Sequence, residues 1–364
     1  MDTTDPAIHF NEAGECNHCT EFLDKRIHHN YKGAESDQQF TDLISAIKEA
    51  GKGKKYDCVL GLSGGIDSSY VAYIAIQNGL RVLAVHLDNG WNAEEAVQNI
   101  RNIAQLLQID YESYVLDWEE FKDLQLSFLK ASVPEAETPT DIAIPAALHK
   151  IAAKYGVKYI LSGGNFATEG ILPPMWHYNA KDTVYLKHIQ KTFGTKKLKK
   201  FPLFGFKEEM YYKLAKGIKI VYPLNYVPYD KEKAMELLQR ELNWKYYGGK
   251  HYESRYTGFI QSYYLYKKFG IDYRRATLST QICTGAVTRE VALKALETLP
   301  YSDEKVEVET KYIAKKLGIT LEKLHNIVES PAKWYTDYPN DAKRLGKIYD
   351  LYRKVFNKEK LASY

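Results

Sequence analysis

The chain has 364 residues, of which 45% are hydrophobic and 26% are charged, and its net charge is +4. These values are ordinary for a folded protein, so the composition excludes global disorder and a strongly basic nucleic-acid-binding chain. No apolar run approaches the roughly 18 residues of a membrane span, and the first residues lack the pattern of a signal peptide. With only four cysteines, we expect a cytoplasmic protein without a disulfide framework.

The middle of the chain alternates short apolar runs with segments that carry apolar residues every three or four positions. We predict strands at 56–62, 81–87, 111–117, 157–164 and 219–224, and helices at 38–50, 68–79, 92–107, 118–131 and 141–155. This alternation is typical of an α/β fold with a doubly wound parallel sheet.

Three regions follow from this pattern: an N-terminal segment (1–50), an α/β domain (51–230) and a mainly helical C-terminal domain (231–364). We expect residues 1–35 to be irregular. Residues 166–217 hold several prolines and the basic run TKKLKK, and we expect a loop-rich insertion with a solvated basic face.

The sharpest local signal is LGLSGGIDSSY (60–70), which lies between a predicted strand and a predicted helix. Glycines allow the backbone to approach a ligand, and the free amides at a helix start favour an anion. The motif lacks the GK[ST] ending of a Walker loop and the GxGxxG of a dinucleotide site. We predict a phosphate site formed by Leu62, Ser63, Gly64, Gly65, Asp67, Ser68 and Ser69.

This SGGxDS element resembles the PP-loop of the N-type ATP pyrophosphatases, a group that includes GMP synthetase, NAD synthetase and several tRNA-modifying enzymes. The resemblance implies that ATP is cleaved between its α and β phosphates and that AMP passes to a carbonyl oxygen of the substrate. Asp67 is an acid beside three phosphates, which requires a cation between them, so Mg²⁺ is implied. The alternative is that residues 60–70 form a Ser/Gly-rich turn that binds no ligand.

Two further strand ends are expected at the same edge of the sheet, where ligands of open α/β sheets bind. In HLDNGW (86–91) we assign His86 and Asp88 to the nucleotide, and Asn89 and Trp91 to the substrate. In LSGGNFATE (161–169) we assign Gly163 to the nucleotide and Asn165 and Glu169 to the substrate, with Glu169 as a second Mg²⁺ ligand. The alternative is that Asp88 and Glu169 are loop acids that cap helices.

A second resemblance covers roughly residues 1–300. The N-terminal MDTTDPAIHFNEAGECNHC, the DNGWN and GGNFATEGILP turns and the block at 246–296 look like the N-acetyl sugar amidotransferase family. Those enzymes serve O-antigen synthesis and the pseudaminic and legionaminic acid pathways. The resemblance implies that an acetamido group on a free or nucleotide-linked bacterial sugar becomes an acetamidino group.

The block at 246–296 supplies the remaining candidates for this chemistry. Lys250 can neutralise charge on the leaving group, and His251 can manage the ammonia proton. We assign Glu253, Ser254 and Arg255 to the sugar. The alternative is a surface helix with local ion pairs. Eight of the 30 tyrosines also fall within 246–275, where we expect most of them to pack.

Ammonia requires a source, and the sequence contains no glutaminase signature. The family resemblance implies a separate glutaminase subunit, with a cyclase-like subunit as a further partner. Direct use of free ammonium is the fallback. We expect no membrane partner and no nucleic acid.

The CNHC unit (16–19) has the spacing of half a four-thiolate zinc site, so Cys16 and Cys19 are zinc candidates. The resembled family carries another CxxC just before the segment that matches Met1–Pro6, and this sequence lacks it. Either the start is truncated or the site is lost, with His9, His18, His28 and His29 as possible substitutes. We expect Cys283 to lie in a loop without a Cys or His companion.

Two rival functions remain. The first is a PP-loop tRNA-thiolating or lysidine-type enzyme, which would require a redox-active cysteine near the nucleotide or a strongly basic face. The second is an inactive, partner-binding subunit of a glycan-synthesis complex. The intact Ser63–Ser69 loop argues against the second.

Overall fold

The structure, a computed structural model, describes residues 1–29, 31–249 and 252–356. Its centre is a five-stranded parallel sheet in the order β3-β2-β1-β4-β5. The strands are β1 (Cys58–Gly61), β2 (Val82–Asp88), β3 (Asp110–Val115), β4 (Tyr159–Leu161) and β5 (Lys219–Val221). Helices cover both faces, so the predicted doubly wound α/β fold is confirmed.

Seventeen α-helices occur among the described residues. The first nine are α1 (Asn17–His29), α2 (Ala34–Gly51), α3 (Ile66–Gln77), α4 (Glu94–Leu106), α5 (Trp118–Ala131), α6 (Thr138–Lys154), α7 (Phe166–Glu169), α8 (Thr183–Phe193) and α9 (Phe206–Met210). The others are α10 (Lys231–Leu242), α11 (Arg255–Phe259), α12 (Leu265–Phe269), α13 (Arg274–Thr284), α14 (Arg289–Leu296), α15 (Asp303–Leu317), α16 (Leu321–Glu329) and α17 (Ala342–Phe356). Short π-helical turns at Tyr211–Ala215 and Ile260–Tyr264 continue α9 and join α11 to α12.

Strand β1 divides its side chains between two cores, as a strand with a period of two must. Cys58 and Leu60 pack with α2, α3 and α10 on one face of the sheet. Val59 packs against Leu83 and Ile151 on the other face. Burial on both faces explains why this strand is a continuous apolar run in the sequence.

A third and larger core joins the α/β region to the C-terminal helices. It contains Trp91 and Phe128 together with Tyr256, Tyr264 and Ile313. Side chains from both sides of the predicted boundary at residue 230 therefore share one packed interior.

Two parts of the chain are more ordered than the sequence analysis expected. Residues 17–29 form helix α1, although we expected the first 35 residues to be irregular. The basic run at 195–200 is tied down, because Glu120 and Asp123 accept backbone N–H groups from 195–201. Lys196 and Lys200 also pair with acids at the start of α5.

Among the described helices, none combines the length and the hydropathy that a membrane span needs.

Candidate active site

The SGGxDS motif lies between the carboxyl end of β1 and the first turn of α3, as predicted. Hydroxyl groups organise the turn: Ser63 Oγ lies 3.1 Å from Ser68 Oγ and accepts the Gly65 N–H at 3.2 Å. Ser69 Oγ donates to Gly65 O at 2.6 Å. Gly65, Ile66, Asp67 and Ser68, at the start of α3, line a small cleft beside this turn, and a helix start of this kind suits an anion.

Gly64 occupies the left-handed region with φ of +81°. A Cβ at this position would also lie 2.3 Å from the carbonyl oxygen of Ala96 on α4. Gly163, at the end of β4, is similarly constrained, since a Cβ there would lie 2.7 Å from Ser68 N. Both glycines thus allow backbones to meet around the phosphate loop, which is the structural role that the motif predicted for Gly64.

The end of β2 supports the loop more than it faces the cleft. His86 is buried, its Nδ1 lies 3.1 Å from Leu62 O, and its Nε2 lies 2.9 Å from Asn92 Nδ2. Burial lowers the pKa of His86, so its ring is neutral at neutral pH. The carboxylate of Asp88 and the amide oxygen of Asn89 accept backbone N–H groups within the following turn.

Trp91 differs from what its prediction as a substrate contact requires. Its side chain has no exposed surface, and its indole N–H donates to Gln125 at 2.6 Å. A ring in this position packs the core below the turn and has no open face toward a ligand. The signal for this role in the sequence is the large apolar character of the residue, which is typical of core positions.

The end of β4 brings a polar pair near the cleft. Asn165 is fully buried, and its Oδ1 caps α7 by accepting from Thr168 N at 2.9 Å. Its Nδ2 has no hydrogen-bond partner among the described residues, so a buried donor is available for a ligand. Glu169 lies close enough to Tyr229 to raise the pKa of that residue, together with Asp67.

A segment that we call the strap (residues 244–249 and 252–255) closes over the loop. The Glu253 carboxylate and the Tyr247 hydroxyl each lie 3.3 Å from the position of a Cβ on Gly65. The backbone of the strap pairs with the turn after β2, where Ala93 N donates to Glu253 O at 2.9 Å and Arg255 N to Trp91 O at 2.9 Å. The strap therefore brings two separately predicted motifs together.

Of the other strap residues, Ser254 caps α11 by accepting from Thr257 N at 3.3 Å. Arg255 forms two hydrogen bonds with Glu309 and stacks on the ring of Tyr312 at 3.4 Å. The assignment of both to the sugar stays a prediction. The predicted catalytic residues Lys250 and His251 lie outside the described residues.

Besides Ile66 of the motif itself, three residues that the sequence analysis did not select line or support the cleft. The Tyr229 hydroxyl donates to the Asp67 carboxylate, and burial together with Asp67 holds the pKa of Tyr229 well above its usual range. Lys231 is the first residue of α10. Lys231 and Tyr247 both line the cleft. Both Tyr229 and Lys231 follow the predicted strand at 219–224, but no local motif in the sequence marks them. Among the described residues, the cleft is lined by Ser63, Gly65, Ile66, Asp67, Ser68, Lys231, Tyr247 and Glu253.

Three of the four cysteines, Cys16, Cys19 and Cys283, form a cluster away from this lining, and one expectation about them was wrong. Cys283 lies in helix α13 rather than a loop, and its thiol is a hydrogen-bond partner of Cys19. Cys16 Sγ lies 3.3 Å from Cys19 Sγ, and burial raises the pKa of Cys16. Among the described side chains, no group of three or more His, Cys, Asp or Glu residues is placed to hold a metal ion, and zinc at Cys16 and Cys19 stays a prediction. The side chains of His28 and His29 lie outside the described part.

Two family models match this chain in separate regions. A model described as "LPS biosynthesis protein WbpG-like, C-terminal domain" matches residues 253–355. A model described as "Thiamine biosynthesis protein (ThiI)" matches residues 53–168, which include the phosphate loop and strands β1 to β4. The chain joins a PP-loop ATP pyrophosphatase domain to a WbpG-like C-terminal domain. The resemblance stated from the sequence is thereby confirmed.

Curated relatives match mainly through the PP-loop domain. The tRNA-specific 2-thiouridylase MnmA of Helicobacter hepaticus is 28% identical over 190 residues, 49% of this chain and 49% of that protein. The tRNA(Ile)-lysidine synthase of Chlamydia muridarum is 35% identical over 86 residues, 24% of this chain and 25% of that protein. The chain thus spans half or less of the length of these relatives.

Among solved structures, NMN synthetase from Francisella tularensis matches with a TM-score of 0.37 and 16% identity. The match covers 84% of this chain and 99% of that one. At this TM-score, the likeness supports no inference about function.

Proposed function

We propose that this PP-loop protein is an ATP-dependent amidotransferase that converts the N-acetyl group of a bacterial sugar into an acetamidino group. One observation carries the proposal: the region that matches the WbpG-like model begins at Glu253, the residue whose carboxylate closes over the phosphate loop. The part of the chain that is similar to a lipopolysaccharide biosynthesis protein therefore contributes directly to the nucleotide cleft.

The residues of the cleft fit ATP with Mg²⁺. The amides at the start of α3 and the serine hydroxyls suit the pyrophosphate, and Lys231 adds a positive charge to the lining. Asp67 lines the cleft, and Glu169 lies within electrostatic range of Tyr229, whose hydroxyl donates to Asp67. Mg²⁺ is commonly held by one or two carboxylates plus phosphate oxygens, and when bound it neutralises phosphate charge. We assign those two residues as its protein ligands.

The proposed chemistry overcomes the poor reactivity of an amide. The acetyl oxygen attacks the α-phosphate of ATP, pyrophosphate leaves, and the amide becomes an adenylylated imidate. Ammonia then adds to the imidate carbon, and AMP departs with the former acetyl oxygen. Water would regenerate the amide at the cost of ATP, so a strap that covers the loop has a function in excluding it.

The partners follow from this reaction. A glutaminase subunit supplies the ammonia, with a cyclase-like subunit as a further partner, and free ammonium is the fallback. We place the reaction in the cytoplasm, where ATP is available, and all four cysteines are free thiols as that compartment requires. We do not include zinc in the proposal.

The decisive experiment follows the oxygen atom. Candidate sugars, labelled with oxygen-18 in the acetyl carbonyl, are incubated with the protein, ATP, Mg²⁺ and ammonium. The candidates are a UDP-linked acetamido-uronic acid and derivatives of pseudaminic and legionaminic acid. We expect the label in AMP, equal amounts of pyrophosphate, and an unlabelled amidine in mass spectrometry. Formation of ADP and phosphate, or label retained in the sugar, would contradict the proposal.

The matched variants are Asp67→Asn at the loop and Asp42→Asn on the exposed face of α2. Asp67→Asn preserves shape but removes a charge at the phosphates, so we expect AMP formation to fall by at least about 100-fold. Asp42→Asn should retain full activity. Equal ATP consumption by Asp67→Asn and the wild type would also favour the inactive-subunit alternative.

Modification of tRNA is the second candidate, because the curated relatives named above are tRNA-modifying enzymes. None of the described residues that line the cleft is a cysteine, the group that a thiolating enzyme would use. A tRNA retention assay over a salt series separates the two functions, since phosphate contacts impose a steep salt dependence. We expect no salt-sensitive retention.

A further inference from the structure

The carbonyl group of Gly64 is held by two side chains from distant parts of the chain. The indole N–H of Trp244 donates to Gly64 O at 3.0 Å, and the amide of Asn99 on α4 donates to the same oxygen at 3.3 Å. Trp244 is 3% exposed and Asn99 is fully buried. Two buried donors therefore converge on one carbonyl oxygen of the phosphate loop.

Asn99 is itself fixed by the strap. Its Nδ2 donates to Lys245 O at 2.8 Å, and its Oδ1 accepts from Lys245 N at 2.7 Å. This paired contact is to the residue directly after Trp244. The donors on Gly64 O thus form one unit, which assembles only when the strap is docked on α4.

The orientation of the Gly64 carbonyl matters for anion binding. In a trans peptide the C=O and N–H groups point in opposite directions, so fixing Gly64 O also fixes the N–H of Gly65. That N–H points to Ser63 Oγ, a group of the cleft, at 3.2 Å. If the peptide between Gly64 and Gly65 flipped, the carbonyl oxygen of Gly64 would face the phosphates of a bound nucleotide and repel them. The left-handed Gly64 has the freedom for such a turn.

We propose that Trp244 and Asn99 are positioning residues that hold the phosphate loop in its anion-binding form. They touch the loop backbone and none of the reacting atoms. The strap that carries Trp244 also places Tyr247 and Glu253 at the cleft, so docking of the strap and shaping of the loop are one event. This inference rests on the proposed function only in that the loop binds ATP.

The test compares ATP with adenosine, which lacks phosphates. Trp244→Phe keeps an apolar ring and removes one donor, and Asn99→Ala removes the other. We expect each variant to bind ATP about tenfold more weakly in titration calorimetry, the effect of leaving a carbonyl without a good donor. Affinity for adenosine should stay within about twofold of the wild type, because adenosine carries no phosphate for the loop to bind.

Asn102→Ala is the matched control. Asn102 lies on the same helix and donates to Asn243 O at 2.9 Å, next to Trp244, without reaching the loop. We expect it to bind both ligands as the wild type does. Thermal melting of each variant confirms folding, and Asn99→Ala carries the test if Trp244→Phe does not fold.

The possible outcomes distinguish a failure of the positioning role from a failure of the proposed function. Unchanged ATP affinity in Trp244→Phe and Asn99→Ala, or a parallel loss of ATP and adenosine, would overturn the positioning role while leaving ATP use intact. A wild-type protein that binds neither ligand would overturn the proposed function itself.

Discussion

The phosphate loop and the strap meet at one cleft but are built in different ways. Loop contacts are local: Ser63 and Ser68 are five residues apart, and Gly65 and Ser69 are four. The strap reaches its partners over 146 residues from Asn99 to Lys245 and 180 residues from Gly64 to Trp244. A local device can be identified from a short motif, whereas a long-range one depends on the whole fold.

The same contrast determines what each part contributes. The loop supplies backbone amides and hydroxyl groups, which suit the phosphates that all PP-loop enzymes share. The strap supplies side chains from the C-terminal region, where the similarity to a WbpG-like protein begins. We infer that the loop binds the phosphates of ATP, that Trp244 of the strap holds the loop in shape, and that the strap residues from Glu253 onward contribute to substrate choice.

The largest expected effect comes from breaking the loop itself. Gly64→Ala adds a Cβ that would lie 2.3 Å from Ala96 O, at a φ of +81°. We expect AMP formation to fall by more than about 100-fold, because the turn must open to relieve the collision. Steady-state AMP release measures it.

Gly156→Ala tests whether the effect of Gly64→Ala comes from the collision with Ala96 or from the positive φ angle alone. Gly156 has a φ of +68°, but a Cβ there would have nothing within 4 Å. It should lose about 1 kcal/mol of stability and keep its activity. Equal loss of activity in both variants would mean that the phosphate loop has no special requirement for glycine at position 64.

The next effect concerns residues 133–136, against which α11 and the π-helical turn after it pack. Tyr256 and Tyr264 donate to the carbonyls of Ala136 and Val133, and Glu135 lies buried between these two positions. Burial raises the pKa of Glu135 from 4.5 to about 7. The folded state therefore holds the proton more tightly, and stability from this group is full below pH 4.5 and is lost as the pH rises through about 7.

Glu135→Gln should remove this pH dependence. We expect the variant to exceed the wild type by about 3 kcal/mol in free energy of unfolding at about pH 8.5 and to match it near pH 4.5. Urea denaturation at several pH values measures the difference. Glu236→Gln, on the exposed side of α10, should stay within about 0.5 kcal/mol at every pH. A flat difference for Glu135→Gln would contradict the raised pKa.

Much of the loop region could be predicted from the sequence, for physical reasons. Strand β1 is buried on both faces and therefore apolar throughout, and the SGGxDS turn requires residue types that few other structures need. The positions of Ser63, Gly64 and Asp67 follow from these local facts.

Contacts between distant parts of the chain could not be predicted in the same way. Trp91 was assigned to the substrate because it follows a strand, yet burial against Gln125 decides its role. Cys283 was expected in a loop, and only the packing of α13 brings it to Cys19. Tyr229 and Lys231 have no local motif around them, so their place at the cleft depends on where β5 lies in the sheet.

A smaller effect is expected where the strap is anchored to α15. Glu309 is 8% exposed and accepts two hydrogen bonds from Arg255, at 3.0 and 3.1 Å. Glu309→Gln should lower the free energy of unfolding by about 2 kcal/mol, because a charge-assisted pair is lost within a packed interface. Glu307→Gln breaks a solvent-exposed pair with Lys311 on the same helix and should leave the free energy of unfolding nearly unchanged, because water screens such a pair. Equal costs in urea denaturation would mean that Arg255 is not anchored by Glu309.

The smallest effect distinguishes two roles for Ser254, which we assigned to the sugar and which caps α11 in the structure. Loss of an N-cap hydroxyl costs about 1 kcal/mol, so Ser254→Ala should lose that much stability. Ser302→Ala removes the N-cap of α15 and calibrates the cost of a cap away from the cleft. If capping is the whole role, KM for the sugar stays within about twofold in both variants. A KM that rises more than about fivefold in Ser254→Ala alone would instead place the hydroxyl on the substrate, and the strap would then recognise the sugar as well as cover the loop.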